Sequence, residues 1–503
     1  MTEDTANNTE EMSLVSSPRI MVVGCARDVG ASTVTLGMIV AFVRQGVALA
    51  VGGMGYSLVE TTHYRRTSGR LSHLLDYHAL NAEEMKGSLA RLSTGSEMIL
   101  IQSDFPLFDK YPAGSSHTSP AEVAKSLGLS VVVVLDARGY AESFAALAKG
   151  VAEFDPELGQ IGVIANRVKN NEHNEILRQS LADIPGLVYL GGVPEGDADV
   201  IGADVLFQRR GNRSLLPRSG LVLCGEMVEK NIDFTALKKL AAGKPDLSVP
   251  TSWMAALPRR CRIGVADDAA FHLTVQDNLD LLRRQGAEIV PFSPIADYRL
   301  PRDLDALYLP GGYLHLYAAD LQNNREIREE IRKFGDRGGI IYAEGGSAAY
   351  LCRNVVMHGG ELYEMVGLVP AIAHSILDVR ETVVPESVSI KLHADCILGK
   401  EGDEVHGVRD SRWILHTDED LDYAFSVEMV DASEETQLSL VDGLMPVSNV
   451  FAAVMQTHWA SCFGIARHFL DAVMKYQTER KSGADSSGTQ PIVRANDSDT
   501  TTS

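Results

Sequence analysis

Short, continuously apolar, β-branched runs, each followed by a stretch of helical period, constrain this chain more than any other feature. Ile20-Met21-Val22-Val23 leads into the amphipathic segment Thr33 to Arg44, and Met98 to Ile101 stands alone. Val131 to Leu135 precedes a helix through Ala145, and Ile161 to Ile164 ends in Asn166-Arg167. A strand apolar on both faces belongs in a parallel sheet covered on both sides, because its alternate side chains have no solvent face to occupy. A second series starts at Arg262 to Val265 and continues through Glu288 to Pro291, Ala306 to Leu309, Gly339 to Tyr342 and Val450 to Met455. The expectation is an α/β chain of two tandem domains with mainly parallel sheets.

The boundaries follow from composition. Residues 1–17 and 478–503 are polar and read as disordered tails. Residues 18–215 and 258–477 are the two domains, and the proline-bearing stretch 216–257 connects them. With 67 Asp and Glu against 46 Lys and Arg, the balance opposes a broad nucleic-acid surface. The six cysteines show no C-x-x-C or Cys/His spacing for zinc, and no apolar run approaches a membrane span, so a cytoplasmic protein without membrane contact is expected.

"GCARDVGASTVTLG", Gly24 to Gly37, sits between a strand and a helix, where a phosphate-binding loop belongs. Such a loop turns backbone N–H groups toward phosphate, while a lysine supplies charge and a hydroxyl reaches magnesium. Gly24, Gly30, Ser32 and Thr33 are in place, but Ala31 stands at the lysine position. Losing that charge weakens phosphoryl transfer, and Arg27 is the candidate substitute. The plain alternative is a loop whose glycines only make the turn.

"YAEGGSAAYL", Tyr342 to Leu351, has the form of a strand-to-helix elbow that displays a nucleophile, with Gly345 at the apex. The N–H of Gly346, with Gly311 and Gly312 after the strand Ala306 to Leu309, would form an oxyanion hole, and His458 in "MQTHWAS" would be the base. Glycine carries no acyl intermediate. Ser347 reads as a helix cap and Cys352 as a buried, inert thiol.

The chain resembles the cobyrinic acid a,c-diamide synthase family from about Pro18 to Val473. The resemblance lies in Val131 to Val168, Asp267 to Asp297, Leu304 to Asn324 and the elbow. It implies a dethiobiotin-synthetase-like ATP domain joined to a class I glutamine amidotransferase domain of the cobyric-acid-synthase type. It further implies ATP and magnesium as cofactors, and a tetrapyrrole such as cobyrinate, hydrogenobyrinate or a sirohaem-type ring as ligand. Carried over residue by residue, the phosphate-loop lysine falls at Ala31. Val51 and Gly55 replace a lysine and an aspartate in the "K-V-G-P-D-Y-I-D-P" segment, which keeps Gly53 and Tyr56. An acidic residue becomes Gln102 while Asp109 remains, and the "E-C-G-G" nucleophile falls at Gly345. "R-G-H-E-F-H-Y-S" becomes His406 to Trp413 with only Gly407 kept, and "H-L-H-F" becomes Gln456-Thr457-His458-Trp459. Ser32 and Asp109 are thereby the expected magnesium positions, Tyr56 and Gly407 the expected substrate positions.

The losses gather on chemistry, so the main expectation is a catalytically degenerate relative without glutaminase activity. It would bind a tetrapyrrole or nucleotide, or serve as a scaffold or regulatory subunit for an active paralogue or another protein, with homodimerisation through sheet edges or the amidotransferase domain. The alternative is an ATP-dependent tetrapyrrole amide synthase, a carbon–nitrogen ligase, fed by free ammonia or a partner subunit.

Overall fold

The computed structural model describes residues 11–55, 58–76, 79–110, 118–195, 218–378, 381, 386–409, 412–419, 421–429, 440–462 and 464–482. The amino-terminal domain is built on a seven-stranded sheet. In spatial order its strands are Ser72–Leu74, Leu49–Met54, Met98–Ser103, Arg19–Gly24, Ser130–Asp136, Ile161–Val168 and Leu187–Pro194, and every neighbouring pair is parallel. The central strands are buried throughout, as their unbroken apolar runs require.

The stretch 216–257 is more than a connection. Helix Arg218–Asn231 packs on helix Ala31–Arg44 so closely that a Cβ on Gly37 would lie 2.3 Å from Val228. Strand Leu247–Pro250 pairs antiparallel with Met12–Val15, which places residues 12–15 in a sheet rather than in a disordered tail. Helix Ile465–Lys481 likewise carries ordered structure past residue 477, into the stretch expected to be a tail.

The carboxy-terminal domain centres on a ten-stranded sheet. Its parallel half runs Ala287–Phe292, Cys261–Ala266, Ala306–Leu309, Ile340–Glu344 and Val450–Ala453, and its second half is antiparallel and ends on Met455–Thr457. Among the described residues no helix is long and apolar enough to cross a membrane.

Polar side chains, rather than apolar area alone, join the domains. Asp277, fully buried near the start of helix Gln276–Arg284, accepts from the N–H of Leu74 at 3.1 Å and from the Ser88 hydroxyl. It also pairs with His73 at 3.1 Å and Arg91 at 3.5 Å. Burial opposes its ionisation, yet His73, His458 and Arg91 together hold it below the usual carboxylate range. Nearby, Arg65 grips Asp267 through two bonds of 2.8 Å, and the Thr62 hydroxyl donates to the carbonyl of His272 at 2.8 Å. Removing one partner of such a buried set leaves the others desolvated and unpaired. Asp277→Ala is expected to lower the unfolding free energy by about 3 to 5 kcal/mol in urea titration; a loss below about 1 kcal/mol, the level of an exposed pair, would contradict the assignment.

Candidate functional site

The strand Ile340–Glu344 delivers the elbow as the sequence suggests. Gly345 has φ 60° and ψ −134°, a conformation that strains any residue with a Cβ, and helix Gly346–Leu351 follows at once. The residue facing this apex is Gln456. A Cβ on Gly345 would lie 3.1 Å from Gln456 Nε2 and 3.2 Å from Gly311 Cα, and Gln456 Nε2 itself donates to the carbonyl of Leu273 at 3.1 Å.

His458, expected as the base, lies elsewhere. Its Nε2 is 2.8 Å from the carbonyl of Leu74 and 3.8 Å from Asp277, so the imidazole belongs to the domain junction, where burial lowers its pKa. The side chain that nears the elbow comes from two residues earlier. Gly345 thus presents no side chain at the apex, and the atoms nearest its Cβ position belong to Gln456 and Gly311 rather than to His458.

Ser347 does not cap the helix, because its hydroxyl donates to the carbonyl of Pro310. Cys352 opens the strand Cys352–Val356, fully buried, with its thiol pushed up by burial and turned to the carbonyl of Ala348. Gly312 and Gly346 remain beside the apex; a Cβ on Gly312 would meet the carbonyl of Ala270 at 1.8 Å, and one on Gly346 the carbonyl of Gly312 at 3.1 Å. Gly407, an expected substrate position, lies where the strands leave no room for a side chain: its Cβ would strike the carbonyl of Gln456 at 2.1 Å. Tyr56 lies outside the described residues.

Buried imidazoles meet at the domain boundary, where His63 lies beside His272 and His315 follows through Tyr313; sequence reading missed the group because His63 and His272 are 209 positions apart. Among the described residues His63 Nε2 and His315 Nδ1 have no hydrogen bond, and Tyr313 packs between His272 and His315 at 4.8 and 5.7 Å. Burial lowers the pKa of His63 and of His272 to about 4 and that of His315 to about 3, so all three are neutral at physiological pH.

In the amino-terminal domain, Gly30 caps helix Ala31–Arg44 with φ 88°, and no acidic residue stands in the first turn to oppose an anion there. The close Asn166 side chain, whose Nδ2 donates to the carbonyl of Val29 at 2.8 Å, leaves no room for a Cβ on Gly30. Gly24 is similarly confined by the carbonyl of Ala26. Thr33 lies in the helix's first turn beside Ala31 and Ser32.

Ser32 Oγ donates to Glu60 Oε1 at 2.9 Å and accepts from Gln102 Nε2 at 3.3 Å. Glu60 in turn shares a hydrogen bond with Asp104, whose pKa is driven well above the carboxylate range by burial and then by Glu60. The Asp104 carboxylate lies 3.1 Å from where a Cβ on Gly55 would project. The carboxyl group of Asp104, from another strand end, thus stands beside the position where the resemblance leads one to expect an aspartate. Arg27 lies over the Phe105 ring, 5.6 Å from its centroid, close enough to Asp104 to oppose that rise. Asp109, the expected magnesium position, is exposed, and no hydrogen bond or ion pair joins it to this group.

This donor set suits magnesium. The ion is commonly held by one or two carboxylates and completed by water and substrate phosphates, and here a hydroxyl and two carboxyl groups, whose shared proton a cation would displace, stand at the mouth of a phosphate-loop helix. Among the described residues no three His, Cys, Asp or Glu converge on a point, so the protein supplies no closed cage.

Behind the elbow, Glu344 is fully buried. It accepts from the hydroxyls of Tyr308 and Tyr342 at 2.6 Å each and from the N–H of Thr457 at 3.3 Å. Burial raises its pKa from 4.5 to about 7 against those three donors. A carboxyl whose folded pKa is raised contributes stability below its unfolded pKa and loses it as pH rises through the folded one. Between pH 4.5 and pH 7.5 the protein is expected to lose about 3 kcal/mol that Glu344→Gln retains, as read from denaturant titrations across that range; parallel pH profiles would contradict the assignment.

Comparisons with known proteins agree with this architecture. Residues 20–201 match the CobQ/CobB/MinD/ParA nucleotide binding domain, and residues 262–453 match the CobB/CobQ-like glutamine amidotransferase domain. Cobyrinate a,c-diamide synthase of Leptospira interrogans is 28% identical over 463 residues, covering 92% of this chain and 99% of that one. The enzyme of the same name from Syntrophotalea carbinolica is 30% identical over 475 residues, 91% and 99% covered. Hydrogenobyrinate a,c-diamide synthase of Pseudomonas aeruginosa is 33% identical over 389 residues, 75% and 84% covered.

Proposed function

The chain belongs to the cobyrinate a,c-diamide synthase family, and from that premise we propose that it is an ATP-dependent amide synthase for side-chain carboxylates of a corrin-type tetrapyrrole, fed by ammonia rather than glutamine. The observation that carries this reading is the group Ser32, Glu60 and Asp104 beside an intact phosphate-loop turn. Two carboxyls hydrogen-bonded to each other in a largely enclosed place carry a desolvation cost, which a cation drawing on both, with the Ser32 hydroxyl beside them, would offset. A fold retained only for binding surfaces would gain by losing them. The elbow shows the opposite treatment, with glycine at the apex and Gln456 against it.

The loop's N–H groups and the helix end bind and orient the phosphates of ATP. Arg27 supplies the positive charge that Ala31 does not, and Ser32, Glu60 and Asp104 hold a divalent cation. When bound, magnesium neutralises the phosphate charge. In the reaction that the family's name implies, a ring carboxylate takes the γ-phosphoryl group to form an acyl phosphate and ADP. Ammonia then adds to the acyl carbon, phosphate leaves with the C–O bond, and a proton is lost from nitrogen to give the amide. The domain junction around His63, His272 and His315, neutral and apart from bulk water, is where un-ionised ammonia would be kept from protonation.

A catalytically silent binder is the second reading, and Ala31 favours it, since the missing lysine touches the charge that develops in transfer. Purified protein with magnesium, ATP, a cobyrinate-type ring and ammonium is expected to release ADP and form ring amides detectable by mass. With glutamine in place of ammonium no amide should form, and Asp104→Asn should lower turnover at least tenfold. Absence of ammonium-dependent amides across a panel of ring carboxylates would sink the proposal and leave binding or scaffolding, for a partner protein or a second copy, as the function.

A further inference from the structure

At the edge of the carboxy-terminal domain remote from the elbow, a cavity of about 340 Å³ opens where the strand Cys261–Ala266 begins and helix Ile465–Lys481 ends. Five cationic side chains line it, Arg259, Arg260, Arg262, Arg480 and Lys481, against two carboxylates, Asp303 and Asp305. In a chain of net charge −21 such a concentration of positive charge is out of keeping with the rest of the surface.

The cations divide into two sets. Arg259 and Arg262 both turn to Glu288, and Arg480 donates to the carbonyl of Leu304 at 2.7 Å and to Asp305 at 2.8 Å. Asp305 also accepts from the N–H of Arg262 at 2.9 Å and from Gln477 at 3.1 Å, so the wall is fixed by bonds that cross from strand to helix. Arg260 and Lys481 have no side-chain hydrogen bond or ion pair among the described residues, and both are exposed at the mouth. Arg260 is nevertheless held in place: its N–H donates to the carbonyl of Gly286 at 2.7 Å, its carbonyl accepts from Gln477, and its side-chain stem packs 3.1 Å from the Cβ position of Gly286.

We infer that this cavity is a second anion site, separate from the phosphate loop, that takes a small phosphorylated ligand carrying at least two negative charges. A guanidinium presents paired donors that match two oxygens of a phosphate, and a neighbouring ammonium adds an untethered point charge. The volume falls at the small end of ligand pockets, which suits a pyrophosphate or nucleotide tail better than a tetrapyrrole ring. The two sources share this chemistry, and separate titrations with pyrophosphate and with ADP tell them apart. The site lies away from the elbow and on different elements from the Ser32 group.

Calorimetric titration of the full chain with pyrophosphate is expected to show two classes of site. Arg260→Ala with Lys481→Ala, both exposed, should weaken one class at least tenfold and leave the class that Ser32→Ala weakens untouched. ADP filling both classes assigns a nucleotide as ligand, and ADP filling only the Ser32-dependent class assigns an inorganic phosphate. The weakened class should also be the one more sensitive to added salt. Pyrophosphate binding unchanged in the double variant, or a single class abolished by Ser32→Ala, would overturn the inference.

Discussion

The buried carboxylate of Asp277 is the constraint on which the arrangement of the two domains rests. It lies in the carboxy-terminal domain but draws its donors from the other: the N–H of Leu74, the Ser88 hydroxyl, His73 and Arg91. A buried charge tolerates little displacement of its partners, because every lost donor leaves ionic surface desolvated. His458 closes the group by reaching the carbonyl of Leu74. The amino-terminal phosphate loop and the carboxy-terminal elbow are therefore parts of one body, facing a shared boundary lined by His63 and His272.

Within that body the two chemical centres have diverged. The elbow keeps its backbone shape, which glycine adopts without strain, while Gln456 faces its apex. At the phosphate loop Ala31, Gly55 and Gln102 stand where the resemblance leads one to expect a lysine and two carboxylates, while Asp104 lies beside Gly55 and Glu60 takes the Ser32 hydroxyl. Gln102 keeps a place there as a neutral hydrogen-bond partner, accepting from Tyr64 at 3.0 Å. Glycine stands at the apex of the elbow, whereas carboxyl groups from two different segments meet at the phosphate loop.

The parallel sheets were legible in the sequence because a strand buried on both faces writes its burial into consecutive residues, as in Val131 to Leu135. The elbow and the phosphate-loop turn were legible because each is local, a strand, a few glycines and a helix. What escaped was everything set by pairing across the chain. Glu60 and Asp104 are 44 positions apart, and nothing in either segment marks them as neighbours. His458 looked like a base because it follows the last apolar strand, yet the turn of that strand aims Gln456 at the elbow and His458 at the other domain. Residues 12–15 looked like part of a polar tail because a four-residue edge strand carries too little pattern to register, and its partner lies beyond residue 246.

We propose that the amino-terminal domain binds nucleotide together with a divalent cation that Ser32, Glu60 and Asp104 would hold. The most direct measurement is the dissociation constant of ATP with and without magnesium, for the full chain and for Asp104→Asn. The account predicts at least tenfold tighter binding with magnesium, and loss of that difference in the variant. An affinity for ATP indifferent to magnesium in the unaltered chain, or a magnesium effect that survives Asp104→Asn intact, would contradict it.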